Sequence, residues 1–160
     1  MTPFGGVATT NGTESAWYID TSAAAKLVIE EEHSAALREW VAEHADQLVA
    51  SDLLRTELLR TTRRLAMNEG APAGEALVLQ AQAVVDAIDL VPIPRHLFRD
   101  AGLLDPPLMR TLDALHLAVA LGLGDDLDGL VTYDTRMAGA ARRHAIAVVS
   151  PGHSPSGWPS

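Results

Sequence analysis

Five short apolar segments alternate with longer helical patterns along this chain, and the alternation restricts the fold more than any other feature. The segments lie at residues 17–19, 47–50, 88–93, 129–133 and 145–149, and each has a length suited to a buried strand. Strands separated by helices favour a parallel sheet, because parallel neighbours need a crossover connection. The sequence therefore predicts an α/β protein in which helices wrap a parallel sheet.

The segment 112–123 reads LDALHLAVALGL and is apolar almost all the way round. This pattern predicts a helix that is buried on most sides. Its only polar side chains are Asp113 and His116, and a carboxylate buried among leucines needs a compensating partner. His116 lies one turn beyond Asp113, where we favour a hydrogen-bonded core histidine over a general base.

At 160 residues the chain has room for one domain, which we place at 16–151. A Gly- and Thr-rich segment at 1–15 predicts a flexible N-terminal extension, and 152–160 predicts a flexible C-terminal tail. Ser51 is a good N-cap for a helix that runs to about residue 68. Pro72 suits the first turn of the next helix.

The chain contains no cysteine, which excludes disulfides, thiolate metal sites and cysteine nucleophiles. Any metal must therefore be held by oxygen or imidazole. No signal peptide and no membrane-spanning segment is visible, so we expect a cytoplasmic protein that does not enter a membrane. The net charge of −9 argues against charge-driven wrapping of nucleic acid, so such a substrate would need a local basic patch.

Two acidic residues directly follow predicted strands, at the position where open α/β sheets bind their ligands. Asp20 follows the first strand and Asp134 follows the fourth, so the two carboxylates meet if those strands are neighbours. Glu57 lies on the helix after the second strand and Asp113 on the helix before the fourth. Both could lean over the same edge.

A cluster of these four acids would be unfavourable without a cation. Two like charges about 4 Å apart repel by roughly 4 kcal/mol at an effective dielectric constant near 20. Mg²⁺ or Mn²⁺, which prefer oxygen ligands, would relieve this repulsion and suit phosphodiester hydrolysis. Thr21, Ser22 and Thr132 flank the acids and could orient water or ligands, although capping and turn roles suit them equally.

Each acid also has an ordinary structural explanation. Asp20 and Asp134 could cap the helices that follow them, Asp113 could favour the positive end of its helix, and Glu57 could pair with Arg60. Arg60 and Arg64, at i+3 and i+7 from Glu57, are candidates for substrate contact together with Arg110. Further arginines that could extend this patch are Arg136, Arg142 and Arg143. Alternatively, all of them are ordinary surface residues.

Four strings, in this order, resemble the PIN-domain ribonucleases and specifically the VapC-type toxins of toxin–antitoxin pairs. They are YIDTSA (18–23), SDLLRTELLR (51–60), RTLDALHLAVAL (110–121) and LVTYDTRMAGAARR (130–143). The resemblance covers residues 17–151. The extension at 1–15 departs from the family pattern, in which the first strand begins close to the start of the chain.

The resemblance implies a three-layer α/β/α sandwich with a five-stranded parallel sheet. It also implies that Asp20, Glu57, Asp113 and Asp134 coordinate Mg²⁺ or Mn²⁺ for the cleavage of single-stranded RNA. Such toxins form homodimers and are held inactive by a VapB-type antitoxin. The stretch Glu30-Glu31-Glu32 and the helix that carries Trp40 are similar to the region that receives the antitoxin.

Two other kinds of protein share the predicted α/β fold class. A receiver-type signalling domain needs an acidic pair after the first strand and a lysine after the fifth, whereas this chain has Asp20 alone and then Ser150-Pro151. A catalytically silent PIN-like binding module would keep the fold without the chemistry. If the acids repel one another, Asp20→Asn and Asp113→Asn should each stabilise the metal-free protein.

Overall fold

The computed structural model describes residues 15–153, so the predicted extension and tail lie almost wholly outside the described residues. Five parallel strands form one sheet in the order β3-β2-β1-β4-β5. They are β1 (Ala16–Ile19), β2 (Leu48–Ser51), β3 (Asp89–Val91), β4 (Leu127–Val131) and β5 (Val148–Val149). This arrangement confirms the predicted sheet and places β1 at its centre.

Seven α-helices connect and cover the strands within the described residues. They are α1 (Thr21–Val28), α2 (Ser34–His44), α3 (Leu53–Ala66), α4 (Ala71–Asp86), α5 (Arg95–Gly102), α6 (Thr111–Gly122) and α7 (Thr135–Arg143). None of the helices between residues 15 and 153 is long and apolar enough to cross a membrane.

The sheet separates two hydrophobic cores, and consecutive side chains of β1 enter different ones. Ile19 belongs to the core that α1, α2, α3 and α4 cover, whereas Tyr18 belongs to the core under α5, α6 and α7. Both side chains are fully buried, as alternation on a strand covered on both faces requires. The predicted three-layer α/β/α sandwich is therefore confirmed.

Helix α6 is buried without interruption from Ala114 to Ala120, as its apolar sequence predicts. Pro72 lies in the first turn of α4, also as predicted. The N-cap assigned to Ser51 is wrong: β2 continues through Ser51, whose side chain is buried, and Asp52 occupies the cap position of α3. The fifth strand is shorter than predicted because Ala145 has a left-handed backbone, with φ of 59°.

Candidate active site

The central strand pair brings two of the predicted acids to one edge of the sheet. β1 pairs with β4 in parallel, and the backbone N–H of Asp20 continues the pairing by donating to the carbonyl of Val131 at 3.2 Å. Asp134 follows β4 and begins α7. The first and fourth strands are neighbours, which was the condition for the two acids to meet, and this pairing places both acids at the carboxyl end of the sheet.

Both acids cap helices, so the structural interpretation of each is confirmed. Asp20 Oδ1 accepts from the backbone N–H of Ala23 at 3.0 Å. Asp134 Oδ1 accepts from the N–H groups of Arg136 and Met137 at 2.8 and 2.9 Å. Capping fixes the two carboxyl groups at the starts of α1 and α7, next to the sheet edge.

Two hydroxyl side chains hold Asp20, which is only 4% exposed. Ser22 Oγ donates to Oδ1 at 2.7 Å, and Thr132 Oγ1 donates to Oδ2. Thr132 Oγ1 also accepts the N–H of Asp134 at 3.1 Å, which links the two acids. Burial raises the pKa of Asp20, against the opposing effect of the hydrogen bonds from Thr132, Ser22 and Ala23.

Glu57 reaches the same region from α3 and has two partners. Its Oε2 accepts from Thr21 Oγ1 at 2.6 Å and lies 2.5 Å from His116 Nε2. Burial raises the pKa of Glu57, but the hydrogen bonds from His116 and Thr21 and the charge of His116 outweigh it and lower the pKa overall. Among the described residues Glu57 thus pairs with His116, and not with Arg60 as the alternative structural explanation had it.

His116 is a hydrogen-bonded core histidine, as predicted, and it is 2% exposed. Its Nδ1 lies 2.7 Å from the hydroxyl of Tyr18, and that hydroxyl accepts from the backbone N–H of Ser51 at 3.1 Å. Tyr18 could not be singled out from the sequence, because nothing in the local pattern distinguishes it from an ordinary buried strand residue. Only the position of His116 on the face of α6 that carries Asp113 pointed to a polar neighbour.

Asp113 is half-buried in the first turn of α6. Burial raises its pKa first, and the negative charge of Asp134 raises it further, with a smaller contribution of the same sign from Glu57. His116 and Arg110 act in the opposite direction. Asp113 is therefore close enough to two of the other three acids for their charges to destabilise its ionised form.

A cleft of about 470 Å³ opens beside Asp113 between α6 and α7. Its lining includes Arg110, Arg136 and Arg143, so one predicted substrate-binding arginine and two of the supplementary ones face the same space. Arg60 and Arg64 are exposed on α3 and are absent from this lining. Their contact with substrate stays a prediction.

The acids are the type of ligand that a divalent cation prefers, although their present side-chain positions do not form a complete coordination site. Between residues 15 and 153, no three His, Asp or Glu side chains are grouped so that they could hold a metal ion as they stand. The donors are nevertheless all oxygens, as Mg²⁺ and Mn²⁺ prefer, and the charge repulsion at Asp113 is the kind that a cation relieves. Binding then requires some carboxylates to turn from their present partners.

The fold and the site define an α/β protein with acidic residues at the carboxyl edge of a parallel sheet. The PIN domain family model matches residues 17–143. Ribonuclease VapC46 of Mycobacterium tuberculosis is 37% identical over 137 residues, which cover 86% of this chain and 98% of the relative. Ribonuclease VapC47 of the same species is 33% identical, with 84% and 96% covered. The chain belongs to the PIN-domain family, among its VapC-type ribonucleases, which excludes the receiver-type alternative.

Two solved structures share the fold at low sequence identity. VapC20 of Mycobacterium tuberculosis, described as a sarcin-ricin loop cleaving toxin, matches with a TM-score of 0.66 and 18% identity, and the match covers 85% of this chain and all of that one. PAE2754 from Pyrobaculum aerophilum matches with a TM-score of 0.61 and 18% identity over 88% of both chains. These likenesses support the sheet order and the three-layer arrangement described above.

Proposed function

We propose that this chain is the toxin of a toxin–antitoxin pair and cleaves single-stranded or loop regions of RNA with Mg²⁺ or Mn²⁺. The cation would be held by Asp20, Glu57, Asp113 and Asp134. The observation that carries the proposal is the placement of Asp20 and Asp134 at the carboxyl ends of the paired strands β1 and β4, where Thr132 Oγ1 is hydrogen-bonded to both residues. The raised pKa of Asp113, caused first by burial and then by the charges of Asp134 and Glu57, supports it. Relatives named as ribonucleases add support.

Each acid would contribute differently because its surroundings differ. Asp20 is held rigidly by Thr132 and Ser22 and would keep a fixed charge at the base of the site. Asp113 is half-exposed and lines the cleft, so it would meet both the cation and the substrate. When bound, the cation supplies a positive charge for the phosphate oxygens and makes water a better nucleophile.

The arginines of the cleft would bind the RNA backbone. Arg110, Arg136 and Arg143 create a local positive surface in a chain of net charge −9. A guanidinium can donate two parallel hydrogen bonds to a phosphate, which fixes position as well as providing attraction. The backbone would therefore run beside Asp113, between α6 and α7.

The proposed reaction is hydrolysis of a phosphodiester. Water adds to phosphorus, the P–O3′ bond breaks, and a proton from the water ends on O3′. The products carry a 5′-phosphate and a 3′-hydroxyl. Attack by the RNA 2′-hydroxyl would instead leave a 2′,3′-cyclic phosphate.

Incubation with total RNA tests this function. We expect cleavage with Mg²⁺ or Mn²⁺, loss of cleavage in chelator, and at least about a 100-fold loss in Asp113→Asn, equivalent to about 2.7 kcal/mol of transition-state stabilisation. Asp125→Asn is the matched control, because it removes the same charge from the exposed turn that precedes β4. End-group analysis of the fragments then identifies the products.

Undiminished cleavage in chelator would contradict the cation, and cyclic phosphate ends would contradict attack by water. Cleavage absent under every condition would favour the catalytically silent module. The described residues do not form a complete cation-binding site as they stand, and this observation favours the catalytically silent module as the second candidate.

We further propose that the chain forms a homodimer and is inhibited by a VapB-type antitoxin. A groove of about 290 Å³ between α1, α2 and α4 has an almost wholly apolar lining and would accept the apolar face of a partner helix. Val41 of α2 lines it, on the same helix as Trp40. The acidic stretch named above already has partners, since Glu30 pairs with Arg38 and Glu31 with Lys26. The native mass of the chain, alone and with its antitoxin, tests both associations.

A further inference from the structure

A chain of buried hydrogen bonds runs from the backbone of β2 to the carboxylate of Glu57. Its members are the Ser51 N–H, the Tyr18 hydroxyl, both ring nitrogens of His116, and Glu57 Oε2. We infer that His116 is a positioning residue that fixes Glu57 for the divalent cation, and that Tyr18 anchors His116. The inference rests on the cation site of the proposed function and adds two residues to it.

The direction of the last hydrogen bond follows from the chemistry of its acceptor. An ionised carboxylate can only accept hydrogen bonds, so the His116 Nε2 that lies 2.5 Å from Glu57 Oε2 must carry a hydrogen. This holds for a neutral imidazole protonated at Nε2 and equally for an imidazolium. The positioning role therefore does not depend on the charge of His116.

The anchoring of His116 makes this donor rigid. Tyr18 is 0% exposed, and its hydroxyl lies 2.7 Å from Nδ1 while it accepts the backbone N–H of Ser51. The rings of Tyr18 and His116 also meet edge to face, with centroids 5.9 Å apart. The imidazole is thus held between α6, on which it lies, and strands β1 and β2.

The two carboxylate oxygens of Glu57 have different surroundings. Oε2 accepts both Thr21 Oγ1 at 2.6 Å and His116 Nε2, so its accepting capacity is taken up by protein donors. Oε1 is left as the oxygen that can face a cation. Without the imidazole, a carboxylate that is 22% exposed keeps a single anchor and can turn towards solvent. The expected consequence is weaker cation binding.

Two amide substitutions distinguish a positioning role of the His116 side chain from a packing role. In His116→Gln the amide nitrogen reaches the place of Nε2 and can still donate to Glu57, whereas in His116→Asn it reaches only the place of Nδ1. Mn²⁺ affinity, measured from the EPR signal of the free ion, should fall about 10- to 100-fold in His116→Asn and stay within about threefold of the parent in His116→Gln. Thermal melts in chelator should place both variants at similar stability.

Equal Mn²⁺ affinity in His116→Asn and the parent would overturn the inference while leaving the proposed cation site intact. Equal losses in His116→Asn and His116→Gln would also overturn it, because they would indicate packing alone. Failure of the parent to bind Mn²⁺ would instead overturn the cation site of the proposed function and the purpose assigned to His116.

Proton NMR then tests the hydrogen bond without any metal. The parent should show a slowly exchanging, downfield imidazole N–H signal that shifts in Glu57→Gln and is missing in His116→Asn. If the parent lacks this signal, His116 does not hold Glu57, whatever the Mn²⁺ result.

Discussion

Asp113 and Asp20 are both predicted ligands of one cation, yet they differ in what the protein alone provides for them. Asp20 accepts from Thr132, Ser22 and a backbone N–H. Burial raises the pKa of both carboxyl groups, but these hydrogen bonds oppose the shift at Asp20, whereas the charges of Asp134 and Glu57 add to it at Asp113. The two carboxylates should therefore respond in opposite ways when the charge is removed.

Asp113→Asn should stabilise the metal-free protein at neutral pH. A carboxyl group whose pKa is raised by folding binds its proton more tightly in the folded state, so its charge destabilises the fold at pH values above that range. Because the residue is half-exposed, solvent screening limits the expected gain to about 0.5 kcal/mol. Denaturant unfolding in chelator measures this gain, and Asp125→Asn is expected to leave the free energy of unfolding unchanged.

The gain in stability of Asp113→Asn should disappear as the pH falls below the unfolded-state pKa of about 4. A loss of stability at pH 7 would contradict this account.

Asp20→Asn should not stabilise the protein, which revises the expectation drawn from the sequence. Both carboxylate oxygens accept hydrogen bonds, so one of their donors would face the new amide N–H₂ group. A buried donor left without its acceptor costs about 1–3 kcal/mol, which exceeds the relief of charge repulsion. The same unfolding experiment should show a net loss of about 1 kcal/mol. A stabilised Asp20→Asn would mean that repulsion dominates at this position too.

The location of Asp20, Asp134 and the hydroxyls beside them at one edge of the sheet could be predicted because each follows a strand or begins a helix, positions that the local sequence reveals. The role of the acids as cation ligands stays a prediction. Tyr18 and the bond between His116 and Glu57 could not be predicted. They join residues 98 and 59 positions apart, and no local pattern records which side chains meet across the core. Ser51 failed for the same reason, since a serine before a helix looks like a cap until tertiary contacts extend the strand through it.

Among the secondary-structure elements, β4 contains a glycine at which a side chain does not fit. A Cβ at Gly129 would lie 2.7 Å from the carbonyl oxygen of Ala147 and 2.7 Å from an indole carbon of Trp17. The backbone oxygen cannot move away without disturbing the approach of β5 to β4. Glycine at this position therefore allows the close contact of the two segments that flank the candidate site.

Gly129→Ala should destabilise the protein by about 2 kcal/mol through overpacking. Gly139 in the middle of α7 is the matched control, because a Cβ there meets nothing within 4 Å. Gly139→Ala should gain about 0.5–1 kcal/mol from helix propensity. Chemical denaturation of the two variants compares them directly, and equal effects would contradict the assigned contact.

Strand and helix order could be predicted well because apolar segments of suitable length alternate so regularly. Element ends were predicted less well. The fifth strand was expected over 145–149 but pairs only at Val148–Val149, because the left-handed backbone of Ala145 turns the chain before the strand begins. A positive φ at an alanine is set by tertiary context and leaves no signal in composition.

At the scale of the whole molecule, an acidic net charge is combined with a local cluster of arginines. The chain is strongly acidic overall, yet the cleft beside Asp113 collects three arginines. Global charge could not predict this cleft, because it forms only where the start of α6 and one side of α7 come together. Helix α6 precedes β4 and helix α7 follows it, so the same strand connects both helices of the cleft and carries Asp134 at its end.

The most direct test of the central claim is the melting temperature of the chelator-treated protein during titration with Mn²⁺. A ligand that binds only the folded state stabilises it in proportion to the logarithm of its concentration above Kd. We predict that the melting temperature of the parent and of Asp125→Asn changes little at Mn²⁺ concentrations below Kd and rises with the logarithm of the concentration above it. In Asp113→Asn this rise should be strongly reduced. Equal responses in Asp113→Asn and the parent, or no response in the parent, would contradict a cation held by the acids at the edge of β1 and β4.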